Sequence, residues 1–520
     1  MSEATLNVEA ATPEAEVASR PKYDHWLAAA YGLALLVCIS LWLLAVRAPL
    51  WTDETLSYWQ IAGGFREIWA RSIQGNSFAA YAYILWLTRT LFGDKEIVLR
   101  IPSILAMLAA VYVFYKCARE LFDWDVSLIA AMVFTLPRGI AFAAIDVRPY
   151  PFALLVTNLT ILLFLRWMKT RKTGYAALFG IAAAGIFYFH YLFATILLAI
   201  ALYYLLTRYS QLRNDLPQIG VALGCFAFFL LPVLPRLKYI YQTRTMHSFA
   251  PAPQWTWIFV PPPQWSGIWE GLNPGTGQLL IVAGILLLAA VARRFVRPDR
   301  EVMGKLILCA SLALVPIFVL YAVSVNTSVS IFIPRYLLVA APGIALCWGW
   351  FCSVVDSRAL RVFFCIAFVG LGAFQSYTSP LARWHEASWK EAFAIADANA
   401  ALDHAPILMC SPLVEADFVP MPAVPVESVL YSPLSYYKVS APIVPFPRSL
   451  NDEAQHQAKQ FLLKATTVRN RFLVLAPRGA STRILDYLAY YSQSTHTPRV
   501  LGCFEDVWIV EFDPIIDDAP

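Results

Sequence analysis

Residues 26–54 read WLAAAYGLALLVCISLWLLAVRAPLWTDE. No charge interrupts the run from Trp26 to Val46, and 21 residues wound as a helix reach about 31 Å, the depth of a bilayer's hydrocarbon core. The run ends in Arg47 and Pro49, and an acidic pair, Asp53-Glu54, follows beside Trp51 and Thr52. Carboxylates at the mouth of a membrane span are costly enough to require a reason.

The rest of the chain repeats the first part of this pattern. Its 520 residues are 59% hydrophobic and 14% charged, against about 45–50% apolar and about 25% charged in soluble domains. Further apolar runs lie at 101–120, 126–145, 152–168, 175–190, 192–207, 217–235, 278–295, 302–324, 335–355 and 360–378, which predicts a mainly α, polytopic membrane protein of about eleven transmembrane helices. Residues 1–25 are polar, rich in Ala and Glu, lack the apolar segment of a cleavable signal, and read as a disordered cytoplasmic tail.

Short loops rich in Lys and Arg stay in the cytoplasm. With the N-terminus inside, Lys116 with Arg119, Arg166–Lys172, Arg208–Arg213, Arg293–Arg300 and Arg358–Arg361 all fall on that side. The opposite side then receives 47–100, 146–151, 236–277, 325–334 and the tail from 380, including the Trp- and Pro-rich stretch Pro251–Trp269, which suits an interfacial aromatic belt. Net charge is +5, small for this length, and the Lys and Arg residues cluster in short segments between apolar runs, which is a topology signal more than a nucleic-acid surface.

In the long loop 47–100, Ile84, Leu85, Leu87, Leu91 and Phe92 recur at helical spacing beside Arg89 and Asp94. A surface helix is preferred to a twelfth span at 78–92, because a crossing there would reverse every later loop. From 380 to 520 hydropathy falls. Helical patterns at Trp389–Ala400 and Ile484–Ser492 alternate with short apolar strands at Pro406–Cys410, Arg471–Ala476 and Val507–Phe512, which predicts a small α/β domain outside the membrane. Its two cysteines, Cys410 and Cys503, could pair in an oxidising exterior if their Cα atoms approach. The nine cysteines contain no C-x-x-C pair, and Gly271–Gly277 lacks the Lys-Ser/Thr of a phosphate loop and reads as a turn.

Three ionisable clusters fall at span ends on one side: Asp53-Glu54, Asp146–Pro151 with Arg148 and Tyr150, and Pro334-Arg335-Tyr336. With Phe92-Gly93, Leu99-Arg100-Ile101-Pro102-Ser103 and His190-Tyr191, in this order over residues 26–378, they resemble the type C glycosyltransferases, specifically the bacterial branch similar to protein mannosyltransferases and to the enzymes that add an aminosugar to lipid A. The resemblance implies a transmembrane glycosyltransferase domain at 26–379 in a bacterial inner membrane, and inverting transfer of a sugar from a polyprenyl phosphate to a periplasmic glycan, lipid or protein acceptor. Asp53, with Glu54 beside it, would orient or deprotonate the acceptor. Arg335 and Arg148 would hold the phosphate, with Tyr336 and Tyr150 as phenolic donors.

Some roles stay open. Arg100 could contact the donor or snorkel to headgroups. Asp146 could pair with Arg148, assist Asp53 or bind a divalent metal, for which Asp53 and Asp146 are the candidates. His190 and Tyr191 could contact sugar or phosphate, or His190 could cap a span. Relatives often carry a His-Pro-Pro stretch ahead of a Tyr-Tyr pair, where this chain has Gly75–Tyr83 without His or Pro, so specificity does not carry over. A transporter or flippase of lipid-linked glycans is an alternative function, although no inverted repeat is present. A non-catalytic scaffold is another, and it predicts Asp53 and Arg335 far apart.

Overall fold

Pro137 sets the first departure from a simple bundle. The third apolar run does not form one span in the computed structural model. It makes α6 (Trp124–Thr135) and α7 (Arg138–Ile145), bent by 72°. Proline has no N–H to continue the helix, and its extended backbone (ψ 131°) turns the chain. The bend aims the end of α7 at the loop that carries Asp146.

The structure describes residues 25–248, 250–258, 300–355, 357–378, 388–418, 424–468, 470–479, 481–504 and 507–515. The predicted tail 1–25 (apart from its last residue), most of Pro251–Trp269, the turn Gly271–Gly277 and the span 278–295 lie outside them. The remaining apolar runs coincide with helices: α1 (His25–Ser40), α5 (Glu96–Leu121), α8 (Tyr150–Thr170), α9 (Thr173–Phe189), α10 (Thr195–Arg208), α11 (Leu212–Leu230), and the helices Arg300–Asn326, Ala341–Ser353 and Arg358–Thr378. Among the described residues six helices are long and apolar enough to cross a membrane, or seven if the bent pair is one span. The number eleven is therefore not established.

Between α1 and α5 the chain forms α2 (Thr52–Ala62), α3 (Ile68–Gln74) and α4 (Ala79–Phe92). The 14 residues of α4 extend only about 21 Å, too little to cross. Tyr81, Ala82 and Leu85 are buried against a small core with Leu50, Ile61, Leu99 and Val147, while Leu87, Leu91 and Phe92 are exposed. Helices approach closely where glycine allows it. A Cβ on Gly343 would come within 2.2 Å of the Ala313 backbone, and one on Gly180 within 2.1 Å of the Ala222 carbonyl. Such contacts replace the hydrophobic drive that lipid removes.

Among the described residues the cationic loops meet at one end of the bundle. Arg166 and Lys169 bond Glu120, Arg171 bonds Asp215 at 2.6 Å, and Arg361 bonds Asp125 at 2.8 Å. Glu120 and Arg100 are separated by most of α5, about 30 Å along the helix.

The C-terminal region forms a five-stranded sheet in the order β2 (Ile443–Phe446), β1 (Ile407–Cys410), β3 (Phe472–Pro477), β5 (Val507–Pro514), β4 (His496–Phe504). The first three strands are parallel and β5 and β4 antiparallel, with Leu408 level with Val444 and Val474, and Val510 with Val474 and Val500. Helix Trp389–Ala400 covers one face, and Asp452–Val468 with Thr482–Ser492 the other. The bridge considered between Cys410 and Cys503 is not made. Strands β3 and β5 lie between theirs, a separation of about 14 Å at normal strand spacing.

Candidate active site

Glu54 and Arg100 organise the approach to the site. Both side chains are fully buried and form a two-armed pair, Nη2 to Oε2 at 2.7 Å and Nε to Oε1 at 3.2 Å. Arg100 donates its remaining protons to the carbonyls of Val46 (2.8 Å), Ala48 (2.6 Å) and Pro49 (3.3 Å). All five N–H groups are thus engaged and none is left for a phosphate. The burial also removes the snorkelling reading. Glu54 accepts further from the backbone N–H of Trp51 (3.2 Å) and Val147 (3.0 Å). One ion pair therefore joins the end of the first span, the start of α2 and the 146–148 loop.

Asp53, one residue earlier, projects to the other side. Its Oδ2 accepts from Arg335 Nη1 at 2.5 Å, although the two residues are 282 positions apart in sequence. Arg148 Nη1 donates to the Asp53 carbonyl at 3.3 Å and to Ser57 Oγ at 3.4 Å. Among the described residues Arg148 forms no carboxylate ion pair. Burial alone would raise the Asp53 carboxyl, but the guanidiniums of Arg335 and Arg148 outweigh it and hold the group below the usual carboxylate range.

Asp146 behaves oppositely. It is 2% exposed, accepts one bond from Trp51 Nε1 at 3.1 Å through Oδ1, and leaves Oδ2 without a partner. Burial and the charge of Glu54 push its carboxyl well above the usual range. It does not ion-pair with Arg148.

An aromatic wall closes the cluster. His190 lies 5.4 Å from Tyr150, 5.1 Å from Tyr336 and 6.0 Å from Tyr191, which stacks parallel to it, and the Arg335 guanidinium lies 5.7 Å from the Tyr336 ring. Of the residues singled out in sequence, Asp53, Arg148, Tyr150, His190, Tyr191, Arg335 and Tyr336 come together, Asp146 lies just behind, and Glu54 and Arg100 form the support. One residue was missed: Ser57, which follows Asp53 by one helical turn and accepts from Arg148.

A divalent metal does not fit this donor set. Among the described residues no three His, Cys, Asp or Glu side chains gather, and of the two candidate ligands Asp53 already faces two guanidiniums while the Asp146 carboxyl is pushed up by burial and by the charge of Glu54.

The C-terminal region packs directly onto α2. Trp389 Nε1 donates to Thr52 Oγ1 at 3.0 Å, the Leu50 N–H donates to Tyr437 Oη at 2.6 Å, and Trp59 Nε1 donates to the Glu427 carbonyl at 2.7 Å.

Residues 79–235 match the family model described as dolichyl-phosphate-mannose-protein mannosyltransferase. ArnT from Cupriavidus metallidurans, solved bound to undecaprenyl phosphate, superimposes with a TM-score of 0.54 at 13% identity, over 94% of this chain and 98% of ArnT. The Archaeoglobus fulgidus oligosaccharyltransferase, solved with a tethered acceptor peptide containing the NVT sequon, gives 0.51 at 11% identity, over 96% of this chain and 75% of its own. A search among curated proteins found no sequence match. At these identities the structural likeness establishes the fold.

Proposed function

On a chain with the type C glycosyltransferase fold, we propose that the Asp53–Arg335–Arg148 cluster transfers a sugar from a polyprenyl phosphate to a cell-envelope acceptor, with inversion at the anomeric carbon. The observation that supports this most is a carboxylate held by one guanidinium at 2.5 Å with a second beside it, under a wall of His and Tyr. The two arginines are cations suited to a leaving phosphate, and Asp53 is a base suited to the acceptor.

The acceptor oxygen attacks the anomeric carbon from the face opposite the phosphate, the carbon–oxygen bond to phosphate breaks, and the phosphate keeps the electron pair. The acceptor proton passes to Asp53. In the free protein Arg335 and Arg148 make Asp53 a weak base. A bound phosphate draws the same guanidiniums toward itself, and burial then raises the carboxyl toward basicity. Donor binding thereby activates the base.

Glu54 and Arg100 fall out of the catalytic set and become the clamp that fixes its geometry, while Asp146 positions Trp51 and not a metal. The direct contact between Asp53 and Arg335 speaks against a vestigial scaffold. Cationic loops gathered at the far end of the bundle support placing the site on the periplasmic side of a bacterial inner membrane, with the N-terminus cytoplasmic and the C-terminal region beside the site.

The test is transfer of radiolabelled sugar from polyprenyl phosphate in membranes. Asp53→Asn is expected to lower the rate about 10²–10⁴-fold with the protein still folded. Transfer equal to wild type overturns the assignment.

A further inference from the structure

The outer face of the C-terminal region carries a cluster of rings that the transfer site does not use. Helix Trp389–Ala400, Glu427 and Tyr437 lie on the side of the sheet that meets α2, and helices Asp452–Val468 and Thr482–Ser492 cover the opposite face. The sheet therefore stands between those two helices and the membrane bundle. Near the end of Thr482–Ser492, the Tyr487 and Tyr491 ring centroids lie 4.4 Å apart, and those of Tyr490 and Tyr491 5.1 Å apart at 85°. Tyr490 is 65% exposed and Tyr491 51%.

Polar groups rim these rings. Lys459 reaches across from the neighbouring helix, its Nζ 6.0 Å from the centre of the Tyr491 ring. His456 and Gln460, four apart on the same helix as Lys459, are exposed, and Gln460 Nε2 donates to His456 Nε2 at 2.8 Å. At the base of the cluster Tyr487 Oη is buried with no hydrogen-bond partner, a polar atom that calls for one. A single exposed apolar side chain is ordinary on a surface, but touching rings rimmed by polar groups mark an interaction site.

Charge, area and shape select the occupant. Across the two helices Asp452, Glu453 and Asp486 balance Lys459, Lys464 and Arg483, so they present no net field to an anionic lipid surface or an acidic polymer. The open surface of Tyr490 and Tyr491 together is a little more than that of one whole tyrosine, about 150–250 Å², against about 800 Å² per partner in a stable protein interface. The two rings stand nearly perpendicular and form a corner. A sugar ring has a face of C–H groups and a rim of hydroxyls. The electron-rich face of an aromatic ring attracts the first, and side-chain donors and acceptors bond the second. We propose that this corner binds an uncharged glycan chain, with a pyranose face on the Tyr490 and Tyr491 rings and its hydroxyls bonded by His456, Lys459 and Gln460. The surface retains the protein at an envelope polysaccharide, and the inference does not depend on sugar transfer, because binding alone tests it.

The experiment is calorimetric titration of the full chain, held in a polyoxyethylene detergent that carries no sugar, with maltohexaose, cellohexaose, mannohexaose and chitohexaose. A hyaluronan hexasaccharide serves as the acidic comparison. Saturable binding of at least one uncharged hexasaccharide is expected, tighter than that of the hyaluronan fragment. Tyr490→Ala should weaken it about tenfold, the loss of one ring contact, while Tyr490→Phe, which keeps the ring, should retain most of it. Because Tyr490 is exposed, the melting temperature of both variants should stay near that of the wild type. If Tyr490→Ala does not fold, protection of Tyr490 and Tyr491 in the wild type from nitration by tetranitromethane, read by mass spectrometry, must locate the sugar. Failure of all the uncharged hexasaccharides to bind, binding that neither the variant nor nitration traces to these rings, or tighter binding of the hyaluronan fragment overturns the proposal. A dimer that Tyr490→Ala dissociates also overturns it, since the corner is then an interface between copies.

Discussion

Glu54 and Arg100 are fully buried with matched donors and acceptors, so removing either leaves a lone charge in the protein. Glu54→Ala is expected to cost about 3–5 kcal/mol of stability, read as an early melting transition and poor yield. If its stability matches wild type while transfer is lost, Glu54 belongs in the reaction after all. Asp53 makes a pH prediction. Its folded carboxyl is depressed by Arg335 and Arg148, so the ion pair's contribution to stability is present above the ordinary carboxylate range and is lost as pH falls through the lower, folded value. Arg335→Gln removes one cause of the depression, so acid-induced loss of stability should begin at higher pH in that variant. An acid limb that does not move would mean that Arg335 does not control Asp53.

At the scale of elements, α2 is fixed from both sides. Its first turn is anchored through Glu54, and its outer surface is held by Trp389, Tyr437 and the 424–437 segment. Tyr437→Phe deletes the acceptor for the buried Leu50 N–H and should cost about 1–3 kcal/mol, measurable as a lower melting temperature. Gly343 tests the contact between Arg300–Asn326 and Ala341–Ser353. A methyl group there meets backbone that cannot yield, so Gly343→Ala is expected to destabilise by about 1–3 kcal/mol. The bent pair α6–α7 shows how a loop residue is delivered. Pro137 breaks one apolar run, and the short second half ends at Asp146.

At the scale of the molecule, the site and the cationic loops lie at opposite ends of α5. Cysteine substitutions for Lys95 and Lys172, both exposed, on a background without native cysteines should react differently with an impermeant maleimide in intact cells. Lys95→Cys should label directly and Lys172→Cys only after permeabilisation. The reverse result would invert the proposed topology and place Asp53 in the cytosol.

Much of this architecture is legible in the chain because its signals are local. An apolar run of about 20 residues names a span by length alone, and the alternation of Trp389–Ala400, Ile407–Cys410 and Phe472–Pro477 marks an α/β region, each pattern complete within one segment. The acids and arginines at span ends could be picked out for the same reason, since charge beside a long apolar run is conspicuous. Which of two adjacent acids faces the site could not. Asp53 and Glu54 are chemically near-identical neighbours, and only their partners, Arg335 from one remote helix and Arg100 from another, give one to the chemistry and the other to the frame. Pairings across 282 residues arise from how helices pack, and packing is decided by the whole set of contacts and not by any one segment.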